Sequence, residues 1–113
     1  MSRIVPAGTP ERAVAIFAGL AEARWEEARR DFGERMRERL DADRLAKGWA
    51  HTVSLIGRFE MIGEPAARQA GEETLVDVPL HFEAAEATGR VTFDGDGAVI
   101  GLFIRPAPDQ ATQ

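Results

Sequence analysis

The hydrophobic period of this chain changes once, at Gly57, and that change limits its fold more than any other feature. Before Gly57, apolar residues recur every three or four positions; after it, they alternate. Val14, Phe17, Leu20 and Ala21 form one helical stripe. Thr9-Pro10-Glu11 ahead of them is a helix start, with a hydroxyl cap, proline at the first helical position and an acid in the first turn. This helix is expected to end near Glu22 or Ala23. Trp25, Phe32, Met36 and Leu40 keep the helical register over Arg24–Leu40. Gly33 interrupts that segment at about 1 kcal/mol in a helix interior. The segment therefore reads as two short helices with a bend at Asp31–Gly33, and Asp31 capping the second. Asp41 is expected to cap a further helix over Ala42–Ile56, and Gly57 to end it with a left-handed residue.

Beyond Gly57, Phe59, Met61 and Gly63 alternate with Arg58, Glu60 and Ile62, until Glu64-Pro65 stops or bends the strand. Ala66–Gly71 reads as a loop. Val76, Val78, Leu80 and Phe82 alternate with Leu75, Asp77, Pro79 and His81, the pattern of a half-buried antiparallel strand. Pro79 lacks an N–H and so belongs at an edge or a bulge. Ala87–Phe93 and Ala98–Arg105 make a hairpin around Asp94-Gly95-Asp96-Gly97, where Asp and Gly tolerate positive φ. That turn fails as an EF-hand calcium loop, which needs a bidentate Glu at its twelfth position; counted from Asp94, that position is Arg105. Helices and strands are segregated, so the class is α+β. The expected architecture has N-terminal helices packed on one face of a curved, roughly four-stranded antiparallel sheet, a nuclear-transport-factor-2-like (NTF2-like) or cystatin-like half-cone. The chain reads as one domain, 1–113, with an N-terminal arm over 1–8 and a polar tail over 107–113.

The net charge of −5 is unevenly distributed. Residues 1–56 hold 10 basic and 9 acidic side chains, whereas residues 57–113 hold 4 basic and 10 acidic. An acidic second half disfavours a nucleic-acid partner, which needs a basic stripe. The arginines of 24–44 alternate with glutamates, as on a solvated helix face. Absence of cysteine removes disulfides, thiolate nucleophiles and cysteine-bound metals. No apolar run approaches a membrane span of about 20 residues, and the N-terminus lacks the apolar core of a signal peptide. The expectation is a soluble cytoplasmic protein, exported only if the sequence is a domain cut from a longer chain.

Three segments, in order, carry a family resemblance: Leu45-Ala46-Lys47-Gly48-Trp49 with Gly57-Arg58-Phe59; Val76-Asp77-Val78-Pro79-Leu80-His81-Phe82; and Val91–Gly97 running into Ile100-Gly101-Leu102-Phe103-Ile104-Arg105-Pro106. Together they resemble the domain of unknown function 3887. The resemblance implies a small NTF2-like or cystatin-like domain of a kind often found in front of α/β-hydrolases. It brings no catalytic residues with it.

Asp77 and His81, four apart on one strand, share a face, and Arg90 is expected on a neighbouring strand of the same face. An Asp–His pair beside an arginine is a set that can move protons near neutral pH. A small proton-transfer or hydrolase-type enzyme is therefore the alternative reading, as is an accessory domain for a separate α/β-hydrolase. Trp25, Phe32, Trp49 and Phe59 are candidates to line a pocket for a small apolar ligand between helices and sheet. The last strand is apolar on both faces, Ile100, Leu102 and Ile104 forming one row and Val99, Gly101 and Phe103 the other. Helices cover only one face, so Leu75, Val99 and Phe103 are candidate interface residues of a homodimer formed through the sheet. No metal ligands and no cofactor motif are expected. The first reading is a non-enzymatic interaction or ligand-binding module.

Overall fold

The computed structural model describes residues 5–106. The expected tail, 107–113, and positions 1–4 of the expected arm lie outside the described residues. Four helices, α1 (Thr9–Ala21), α2 (Trp25–Ala28), α3 (Glu34–Arg39) and α4 (Ala42–Ile56), precede five strands: β1 (Phe59–Ile62), β2 (Ala66–Ala70), β3 (Glu73–Phe82), β4 (Glu86–Phe93) and β5 (Val99–Pro106). The strands form one open antiparallel sheet with β4 between β3 and β5, while β1 and β2 lie end to end along the other side of β3. The fold is α+β, with the helices on one face.

α4 starts at the expected cap and ends at Gly57 with a positive φ, although a ψ of −172° puts Gly57 outside the expected left-handed helical conformation. Asp41 Oδ1 accepts from the Arg44 N–H at 2.9 Å, and Gly57 follows the helix at φ 93°. The other two expected caps do not form. Gly8, at φ 83°, occupies the position before α1, and Thr9 is buried inside the first turn with no capping bond from its hydroxyl. Gly33, not Asp31, precedes α3, and the Asp31 carboxylate instead meets Arg12 at 3.0 Å.

Ala66–Gly71 is not a loop. Ala66–Ala70 pairs residue for residue with Glu73–Asp77 across a two-residue turn, where Gly71 supplies φ 63° at the first central position. Pro79 sits in the middle of the sheet, opposite the break between β1 and β2. Its carbonyl accepts from the Gly63 N–H at 2.8 Å. N–H and C=O of one strand residue point to the same side, so the missing donor faces that break and strands no partner.

Val76, Val78, Leu80 and Phe82 all face the helices and are buried, with Val91 and Phe93 beside them. Phe17 of α1 presses onto the sheet at Gly89. A Cβ built there would lie 2.3 Å from the ring, so the aromatic ring rests on bare backbone.

β5 departs from simple alternation. Thr92 pairs with Gly101 but Phe93 pairs with Val99, leaving Ile100 as an extra residue in a β-bulge. The bulge shifts the phase, so Val99 is fully buried on the helix side, not in the outward row with Gly101 and Phe103. Ile100, in turn, is displaced from the Leu102–Ile104 row and is exposed. The α2–α3 bend docks on the outer edge of β5 here. The Val99 N–H donates to Asp31 O, and the Gly33 N–H to Val99 O, both at 2.8 Å. Arg12 ties this corner together by donating to Gly97 O at 2.7 Å and stacking over Phe93.

Candidate functional site

Two regions hold several of the residues singled out by the sequence: a cleft beneath α4, and the open face of the sheet.

Leu45 and Ile56 bury one stripe of α4, and Trp49 and Val53 pack against the core. Trp49 joins Phe59 and Phe82 in an aromatic cluster with centroid separations of 5.4–5.7 Å. Toward β5 the helix stands away from the sheet and leaves a cleft of about 230 Å³. Its walls are Leu20, Leu40, Leu45, Trp49, Leu102 and Ile104, with Phe103, Arg44, Gly48 and Thr52 completing the lining. Leu40 is held there by Arg29, which is 9% exposed. Its Nε donates to Leu40 O at 2.8 Å and Nη2 to Arg37 O at 3.0 Å, while Nη1 pairs with Glu26 at 2.6 Å. Arg29 thus satisfies the free carbonyls at the end of α3 and fixes the corner into α4. The arginines of this segment read as a solvated face; Arg29 is the exception.

Gly48 is the least expected member. It lies inside α4, where glycine costs about 1 kcal/mol relative to alanine. No heavy atom lies within 4 Å of the position a Cβ would take. Neither a turn nor close packing accounts for this glycine, which adds no side chain to the cleft lining.

Of the expected pocket residues, Trp49 lines the cleft, while Phe59 packs edge-on against Trp49 and is not part of the lining. Phe32 is buried at the α2–α3 bend beside β5, and Trp25 packs on the core outside the cleft wall. Leu20, Leu40, Leu102, Ile104 and Arg44 escaped sequence reasoning. A glycine inside a well-capped helix was the one local signal.

On the open face, Asp77 and His81 share a side of β3, yet each is engaged elsewhere. Asp77 pairs with Arg90 through two bonds, Nε to Oδ1 at 2.6 Å and Nη2 to Oδ2 at 2.9 Å. His81 Nδ1 lies 3.2 Å from Glu86 Oε2. The Arg90 hydrogen bond is the main cause holding the Asp77 pKa below its ordinary 3.8; partial burial opposes it, and the charges of Arg90, Arg68 and Arg105 assist. The same bond raises the pKa of Arg90. A carboxylate held ionised this way is a weak proton acceptor. Met61 (58%) and Phe103 (43%) are exposed on this face, and Leu75 is half-buried. Arg90 and Arg105 both lie over the Phe103 ring, at 5.9 and 5.3 Å. Among the described residues, no three of His, Asp and Glu converge as metal ligands.

Residues 13–102, from within α1 to within β5, match the family described as "Protein of unknown function (DUF3887)". The chain belongs to that family. Its structure is similar to the NMR structure of a protein from Ruminococcus gnavus ATCC 29149, with a TM-score of 0.61 at 12% identity, covering 88% of this chain and 94% of that one. At that identity the likeness shows a shared fold alone. No curated protein matches the chain. Among the described residues, no helix is long and apolar enough to cross a membrane.

Proposed function

We propose that this chain is a non-enzymatic binding module, and that its ligand seat is the apolar cleft between α4 and β5. The observation that carries this reading is Gly48: a helix interior gives up stability at a position of the cleft lining where a Cβ would meet nothing. The cleft is smaller than the roughly 300–1,000 Å³ of drug-sized sites, which suits a short chain or a single ring. Separate engagement of Asp77 by Arg90 and of His81 by Glu86 favours binding over proton transfer. A cysteine-free chain is at home in a reducing compartment, and we place it in the cytoplasm.

The chain has two tryptophans, so Trp25→Phe leaves Trp49 as the only indole reporter. Titration with octanol or octanoate is expected to shift Trp49 emission saturably, and Gly48→Leu to abolish the shift. No saturable shift with either ligand, or an undiminished shift in Gly48→Leu, would overturn the reading.

A second reading is favoured by Met61, Leu75 and Phe103 on the uncovered sheet face: self-association as a homodimer through that face. Light scattering is expected to give twice the monomer mass, and Phe103→Arg to return it to one. A monomeric wild type at tens of micromolar would sink this reading.

A further inference from the structure

We propose that the cleft takes a small amphipathic carboxylic acid, its apolar body between Trp49 and the Leu102–Ile104 wall and its carboxylate at Arg44. This inference rests on the cleft being a ligand seat. Arg44, Gly48 and Thr52 follow one another at i, i+4 and i+8, so they share one line along α4. Leu45 and Trp49 form the adjacent apolar line. The helix therefore presents the cleft with a cation at one end, empty space in the middle and a hydroxyl beyond.

Arg44 is the only charged residue of the lining. Its Nη1 donates to Arg39 O at 2.8 Å, but among the described residues no carboxylate forms a salt bridge with it. The neighbouring charges of the same helix, Asp43 and Lys47, pair with each other at 3.1 Å. A guanidinium with donors to spare beside an apolar cleft offers the planar fork that a carboxylate fits. A doubly charged phosphate head would leave excess charge uncompensated at this single cation, on a protein already at −5. The small cleft volume limits the body to a medium-length chain or one ring.

Octanoate and octanol share an apolar body and differ in charge, so both are titrated into Trp25→Phe at neutral pH while Trp49 emission is followed. Octanoate is expected to bind about tenfold more tightly. Arg44→Gln, at an exposed position, is expected to bring octanoate binding down to the level of octanol, and added salt to weaken octanoate alone. Equal binding of the two ligands, or octanoate binding indifferent to Arg44→Gln, would overturn the acid while the cleft reading stands. Binding of neither ligand overturns both.

Discussion

Two glycines, Gly89 in the sheet beneath α1 and Gly48 within α4, serve opposite ends. At Gly89 the space of the missing side chain is filled by the Phe17 ring, and α1 lies tight on β3 and β4. At Gly48 the corresponding space is empty, and α4 stands off β5. One half of the helix–sheet interface is thus packed to the backbone, while the other keeps a hollow walled by leucine, isoleucine and tryptophan. Gly48 is exposed and meets no packing constraint, so helix stability alone would favour alanine there.

The same substitution tests both sites and should give opposite signs. Gly89→Ala forces a methyl into the Phe17 ring and is expected to destabilise by about 3 kcal/mol, since overpacking displaces ring and backbone together. Urea unfolding checks it; a loss under about 1 kcal/mol would mean that the ring yields easily and the packed half is less rigid than described. Gly48→Ala meets nothing and is expected to stabilise by about 1 kcal/mol through helix propensity, while weakening octanoate binding in the Trp49 titration. Gain of stability with unchanged binding would separate the glycine from the cleft and dissolve the contrast.

The smallest expected effect lies on the open face, which neither glycine touches. The Asp77 pKa is lowered in the folded chain, so its contribution is fully present above the ordinary 3.8 and is lost as pH falls through the lowered value. The pair is partly exposed, and its contribution is expected to stay below about 1 kcal/mol. Wild type and Asp77→Asn should differ in urea midpoint at neutral pH and converge under acid. A difference that grows under acid would reverse the sign and remove the ion pair as its cause.

Elements whose signal is local were readable from the sequence. Asp41 and Gly57 bracket α4, and the Val76–Phe82 alternation places β3 with its buried face correctly. The rest depends on partners distant in the chain. Ala66–Ala70 holds no β-branched or aromatic residue and becomes a strand because Glu73–Asp77 runs beside it. The Ile100 bulge is invisible in a segment apolar on both faces, so alternation alone puts Val99 outward, whereas it belongs to the core. Asp31 looks like a cap but answers to Arg12, nineteen positions earlier. Gly48 was readable only as a flaw in a helix; its meaning depends on how far α4 stands from β5, a distance no local pattern encodes.

The docking of Asp31–Gly33 on Val99 also bears on how the protein avoids polymerising. An outer strand offers unpaired backbone groups to any neighbouring chain, and β5 is long and apolar enough to invite this. Its first residue is already hydrogen-bonded to the α2–α3 bend, its second is bulged out of register, and its last two are Arg105 and Pro106. Only the short run from Gly101 to Ile104 remains as a template. The bend that closes the corner of the core therefore also shortens the adhesive edge, so that strand-on-strand growth has little to grip.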